Sequence, residues 1–307
     1  MSSTAMRKTR MKDPGKILFI LFAITVPIAN WLIFYVYTNA SSIGMAFTNA
    51  AGALSLDNFK RFFEEFKLAS SDIRIALRNT LITFGIQFAM FIPQVLVSFF
   101  IYKKVIGHRF FRIVFFLPSV LFSVCTAMCF TKMVGVNGFI AQGVGEPLGL
   151  ETVPELLADS RFANYVVWAN MIWLSFPGDL IIWGGTFARI PTDVLESGKI
   201  DGVTWWQEFT KIIVPLVWPT VALKLVLTIC GIFGATGQVF LLTNGSYNTV
   251  TLSVWMYKTL LSGSGNEFTS NVYNYLSAVG IIMTVIAVAI SIVIKKITDK
   301  AFDDIEF

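Results

Sequence analysis

Asp179 and Lys224 are ionisable residues set inside long apolar stretches of the chain. A charge in that setting is costly, so each marks a polar pathway or a contact between helices. Asp179 follows Pro177-Gly178, where it would serve either purpose. Lys224 lies past Pro215, toward one end of its stretch, where its ammonium would snorkel to the interface. Little else is equipped for catalysis. His108 is the one histidine and sits at the edge of an apolar run. No carboxylate couple, Ser-His-Asp set or phosphate loop of the form G-x4-G-K stands in the sequence. Cys125, Cys129 and Cys230 all lie in apolar runs without a Cys/His ligand set, which points away from a metal and toward small packing residues. The chain carries no catalytic residues.

A polar island separates two of the apolar runs. It contains Glu196-Ser-Gly-Lys-Ile-Asp-Gly202 and ends at Ile212-Ile-Val-Pro215. Asp193 with Glu196 has a capping-box spacing, and Pro191 favours an extended entry. A short helix is expected over Val194–Lys199. Asp201-Gly202 is a turn, since glycine takes positive φ freely. Thr204 with Gln207 repeats the capping box and opens a second short helix, whose Trp205, Trp206 and Phe209 suit a membrane interface. Pro215 and Pro219 bend the chain into the next run. An ordinary capped loop would carry the same caps. A helix pair held at the surface would instead receive force from a partner.

Glu196, Gly202, Ile212 and Pro215 resemble the EAA signature, E-A-A-x3-G-x9-I-x-L-P, of permease subunits of binding-protein-dependent ABC importers. Ser197 and Gly198 replace the two alanines, and Val214 the leucine. Phe240-Leu-Leu-Thr-Asn-Gly245 is similar to the end of the following span in the larger permease subunit of maltose-type transporters, and Phe176-Pro177 fits the same family. The resemblance extends over residues 75–295. It implies an all-α membrane protein of six transmembrane helices, the type I importer permease fold, with a coupling-helix loop at residues 188–213. Glu196, Ser197, Gly198, Asp201, Gly202 and Pro215 would then couple the chain to an ATPase, with Glu196 as cap and contact.

Composition requires the membrane part of that reading independently. The 307 residues are 55% hydrophobic and 14% charged, with 29 phenylalanines. A soluble chain carries roughly 25% charged residues. The net charge of +5 comes from basic residues beside the apolar runs and is no sign of nucleic-acid binding. Six spans of about 20 residues are expected, at residues 17–37, 77–102, 110–134, 163–187, 214–242 and 272–294. Residues 1–16 form a basic N-terminus with no cleavable leader, residues 77–295 the permease core, and residues 296–307 a tail. Lys and Arg are richer on the side holding both ends and the polar island, which the positive-inside rule makes cytoplasmic. The protein is expected in the cell membrane of a bacterium or archaeon.

The opposite face carries Leu56-Asp-Asn-Phe-Lys-Arg-Phe-Phe, an amphipathic helix signal. It also carries an acidic loop at residues 135–162 and a Gly263-Ser-Gly265 turn. These are docking surfaces or solvated connectors. In maltose-type permeases the fourth and fifth spans line the solute site, and position carries this to Trp173, Ser175, Gly178, Phe233, Ala235 and Thr236. Asp179 and Gln238 join them as intramembrane polar groups. Gly231, Gly234 and Gly237 would let helices pack closely or widen the lumen. Family members with a clear sugar site place asparagines where this chain has Ile232, Phe233, Gly234 and Ala235, so the resemblance does not name the solute.

The resemblance implies an importer of a carbohydrate, an oligosaccharide by preference, delivered by an extracellular solute-binding protein. Partners would be a second permease in a heterodimeric pore, two ATP-binding subunits and the bilayer. ATP and Mg would sit in those subunits, and this chain would hold no cofactor. Other cargoes in the same class are phosphate, polyamine or peptide. A secondary transporter would show repeat symmetry, which is absent here. A membrane scaffold would leave the EAA pattern without purpose.

Overall fold

Backbone groups in lipid must satisfy one another, and a long apolar run does so as a helix. The computed structural model describes residues 14–68, 71–139, 142–143, 155–234, 237–263 and 269–301. Among them five helices are long and apolar enough to cross a membrane, and a sixth crossing exists if one bent pair counts as a span. The elements are α1 (Pro14–Trp31), a π-helical stretch (Leu32–Tyr37), α2 (Thr38–Ala46), α3 (Asp57–Lys67), α4 (Asp72–Tyr102), α5 (His108–Val120) and α6 (Ser123–Val134). They continue with α7 (Ala163–Phe187), α8 (Thr192–Ile200), α9 (Trp205–Gln207), a second π-helical stretch (Glu208–Ile213), α10 (Val214–Cys230), α11 (Gly237–Thr243), α12 (Leu252–Gly263) and α13 (Thr269–Ala301).

The chain divides into two compact units, Met1–Phe62 with Glu267–Ile281, and Phe63–Asn266 with Ile282–Phe307. In the first, α1, the π-helical stretch and α2 form one apolar helix, Gly15–Ala46, with none of its most apolar window buried. That span is longer than residues 17–37, because Thr38, Asn39, Ser41 and Ser42 do not stop the helix: Asn39 Nδ2 donates to its own turn at Tyr35 O (2.6 Å). A turn then closes through the Thr48–Leu54 bridge. Buried Asn58 fastens it, its Nδ2 donating to Ala46 O (3.1 Å) and Thr48 O (2.9 Å). The expected amphipathic helix is α3, which buries Phe62 in this unit.

The second unit is built on α4 and α7, which pack along each other. Lipid gives helices no hydrophobic drive to associate, so packing and polar contacts must do it. Both are present. Val95, Phe99, Trp183, Phe187, Ile190, Leu195, Phe209, Ile213, Val217 and Val221 form one buried cluster. Trp168 Nε1 donates to Thr83 Oγ1 (3.1 Å), and Gln94 Nε2 to Ser175 Oγ (2.8 Å), across the same two helices. Ahead of α7, the Arg161 guanidinium hydrogen-bonds Asp159 and holds that carboxyl below its usual range.

Three expectations are corrected here. The third span is not straight: α5 and α6 meet at 111° across Leu121-Phe122, just past Pro118. The fifth span ends at Cys230 rather than 242. Gly231 and Gly234 follow in a turn, and the chain resumes as the short α11. A glycine costs a helix about 1 kcal/mol against alanine, so repeated glycines favour this break. The three cysteines, expected to pack inside the chain, are exposed on it. Residues 1–13, Glu146, Glu151 and Gly265 lie outside the described residues.

Candidate functional site

The polar island folds as two short helices, α8 and α9, around a glycine turn. Gly202 sits at φ +69, the region glycine enters without a Cβ clash. Thr204 forms a complete capping box with Gln207: Gln207 N–H donates to Thr204 Oγ1 (3.4 Å), and Thr204 N–H to Gln207 Oε1 (2.9 Å). The first box is absent. α8 begins at Thr192, Pro191 holds the N-cap position, and no side chain caps it. Asp193 is inside the first turn, where its carboxylate favours the helix N-terminus, and Glu196 is exposed rather than capping.

The motif spacing has a packing cause. Gly198 is buried, and a Cβ there would stand 2.8 Å from Ile212 Cδ1. The two motif positions are thus in contact, and a small residue at 198 lets α8 lie against the return strand of chain. Leu195 enters the buried cluster from α8, Phe209 and Ile213 from the π-helical stretch. Pro215 stands near the start of α10, where a missing N–H costs nothing. The outer face of this element is open: Glu196, Ser197, Asp201 and Gly202 are exposed, Ile200 is 85% exposed and Trp206 54%.

An ion pair that is not part of the signature anchors the element. Lys103, at the end of α4, forms a largely buried ion pair with Glu208. The Lys103 ammonium also lies 5.7 Å from the Phe99 ring centroid. Phe100 stacks on Trp205 (4.8 Å), and Phe99 packs on Phe209 (5.1 Å). The element is therefore one body with the α4 end. Sequence reasoning missed this pair; a lone Glu beside an aromatic run was the available signal.

Deeper in the bundle, Asp179 and Lys224 form an ion pair between α7 and α10. This corrects the snorkelling reading of Lys224. Asp179 stands about 12 Å along α7 from Phe187, and Lys224 about 15 Å along α10 from Val214, at 1.5 Å per residue. The pair so lies inside the apolar length of both helices rather than at their ends. An unpaired charge there would be strongly unfavourable, and pairing removes the net charge.

α7 carries Trp173, Ser175, Gly178 and Asp179 but does not bring all four together: Ser175 and Asp179, four residues apart, share a face, and Trp173 stands on another. Trp173 stacks against Phe130 (6.2 Å). Ser175 Oγ accepts from Gln94 and donates to Ile172 O (2.7 Å). Gly178 has open space where a side chain would stand. Phe233 lies in the turn after α10, its carbonyl accepting from Ser253 Oγ. Gln238 opens α11, with its buried Oε1 lacking a partner among the described residues. Ala235 and Thr236 lie outside the described residues. Asn170 was missed: it is fully buried on α7 with neither amide atom partnered among the described residues.

Residues 76–304 match the family described as the binding-protein-dependent transport system inner membrane component. The multiple sugar-binding transport system permease protein MsmF of Streptococcus mutans is 24% identical over 289 residues, spanning 90% of this chain and 94% of its own. The lactose transport system permease protein LacF of Rhizobium radiobacter is 26% identical over 194 residues, 59% of this chain and 63% of its own. In fold, the chain superimposes on a bacterial ABC transporter involved in the import of the acidic polysaccharide alginate. The TM-score is 0.76, with 22% identity, over 93% of this chain and 96% of that one.

Proposed function

This chain belongs to the binding-protein-dependent transport system inner membrane component family, and on that footing we propose that it is one permease of an ATP-driven carbohydrate importer. An extracellular solute-binding protein delivers an oligosaccharide, a second permease completes the pore, and two separate subunits bind ATP and Mg. The observation that carries this reading is the α8–Gly202–α9 element: it is anchored inward by Leu195, Phe209 and the Lys103–Glu208 pair, and presents Ile200 and Glu196 outward. An ATPase subunit grips that exposed face on the cytoplasmic side. Its closure moves α8 and α9 as one body, and α4, α7 and α10 follow, opening the pathway alternately to the two sides.

Carbohydrate cargo is supported by the names of the related permeases. The Asp179–Lys224 pair adds to it: with each charge answered by the other, neither is left to draw a polyamine or a phosphate. Trp173 offers a ring for a sugar face, and Ser175 and Gln238 offer hydroxyl and amide groups. The test is uptake in proteoliposomes holding this chain, its partner permease, the ATPase and the binding protein. Uptake of a labelled oligosaccharide that needs both ATP and binding protein is expected. Uptake by this chain alone under an ion gradient would refute the reading.

A further inference from the structure

A second polar recess lies far from the α8–α9 element. Asp72 begins α4 and Lys103 follows its end, about 46 Å apart at 1.5 Å per residue. The α8–α9 element is tied to the Lys103 end. At the Asp72 end a cavity of about 510 Å³ is lined by Asp72, Tyr247, Asn248, Trp255, Lys258 and Thr259, among others. That volume falls within the roughly 300–1,000 Å³ of small-molecule sites.

The loop forming one wall is held in an unusual backbone. Asn244, Tyr247 and Asn248 have φ of 50, 54 and 60, and Gly245 has φ 67. Asparagine tolerates this region, but a tyrosine there is an outlier. Backbone strain of this kind persists only where its surroundings over-determine it, and it gathers at functional sites. Here the surroundings are visible. Asn79, buried on α4, donates through Nδ2 to Asn248 O (2.6 Å) and Val250 O (3.0 Å). Asn164 on α7 donates to the same Asn248 carbonyl (3.1 Å). Thr80 Oγ1 accepts from Leu252 N–H (2.9 Å). Two helices thus clamp one strained loop, and what the clamp presents to the cavity is Tyr247 and Asn248.

The chemistry of the lining is specific. Tyr247 and the nearly buried Trp255 supply ring faces. The Asn248 amide donates and accepts, Thr259 Oγ1, which gives its proton to Trp255 O (2.9 Å), accepts, Asp72 accepts, and Lys258 donates. Neither Asp72 nor Lys258 has an ion-pair partner among the described residues. One charge of each sign, with amide, hydroxyl and aromatic groups between, suits a ligand dense in hydroxyls that carries no net charge. We propose that this recess is a saccharide subsite at the mouth of the pathway, which holds a sugar ring before it enters the bundle. The proposal rests on the carbohydrate reading given above.

The test uses the whole importer carrying Ser262→Cys at the rim of the recess, with Cys125, Cys129 and Cys230 changed to serine. The rate of labelling by a hydrophilic maleimide is measured without binding protein, in the presence of lactose, trehalose or maltotriose, with uptake of the same three sugars by the unmodified importer measured in parallel. Slowing by at least one of them, several-fold, is expected, together with loss of that protection in both Tyr247→Ala and Lys258→Ala. Uptake of one of these sugars without protection by any would overturn the subsite and leave the carbohydrate reading intact. Absence of both would overturn the two together. Protection by the binding protein alone, with no effect of free sugar, would make the recess a protein contact and also overturn the proposal.

Discussion

Asp179 on α7 and Lys224 on α10 form an ion pair between two helices, well inside the apolar length of each. They join the helix that enters the α8–α9 element to the helix that leaves it. Breaking a buried pair from one side costs about 3–5 kcal/mol, because the other charge is stranded. Asp179→Asn and Lys224→Met should each lower the melting temperature of the detergent-solubilised complex and cut uptake severely. The exchange Asp179→Lys with Lys224→Asp should recover most of both. Equal damage from the exchange and from the single changes would show that the pair is not what joins the helices.

Gly198 and Ile212 touch, so added volume at 198 displaces α8. Gly198→Ala meets only the far end of a flexible side chain, and uptake should fall only a few-fold. Gly198→Val pushes α8 off the return segment; packing excess of that size costs about 1–3 kcal/mol. Uptake should be lost while the complex still assembles, measured by co-purification of its subunits. Wild-type uptake in Gly198→Val would remove the packing explanation of the motif.

Gly202 has room for a side chain but not the backbone for one: nothing lies within 4 Å of where a Cβ would stand, yet φ is +69. The left-handed region costs a non-glycine residue about 1–2 kcal/mol. Gly202→Asp adds that strain and a carboxylate beside Asp201. ATP hydrolysis should continue without solute movement, read as ATPase rate against uptake in the same vesicles. Coupled transport in this variant would refute a role for the turn.

Lys103 and Glu208 tie the end of α4 to the π-helical stretch below α9. Glu208→Gln keeps a hydrogen-bond acceptor for Lys103, whose ammonium, past the end of α4 rather than within a helix as Lys224 is, can turn toward water, and should be mild. Lys103→Met strands the Glu208 carboxylate and should destabilise by about 3–5 kcal/mol. Thermal melting in detergent distinguishes them, and similar midpoints for both variants would mean the charge pair contributes little.

What the sequence showed and what it hid divide along physical lines. The all-α membrane fold was legible from apolar run length, and the family comparison and structural likeness agree with it. The Thr204–Gln207 box and the Gly202 turn were legible because caps and turns are decided within a few residues. The Asp193–Glu196 box has the same spacing and does not form; Pro191 occupies the cap and the helix starts earlier. Lys224 was misread because distance to a helix end says nothing of a carboxylate on the neighbouring helix. The partner of Glu208 was hidden for the same reason: Lys103 stands on another helix, 105 residues away in the chain. The kink after Pro118 and the break at Gly231 left no trace in hydropathy, since the residues around them remain apolar. Asn170 drew no attention inside a helix already rich in polar candidates.

Photocrosslinking from Ile200, the most exposed apolar residue of the α8–α9 element, addresses the proposed force-transmitting role of that element most directly. A photoreactive amino acid placed there in the assembled importer should attach to the separate ATP-binding subunit, with a yield that changes when ATP is added. Attachment to the extracellular binding protein, or to lipid alone, would contradict it.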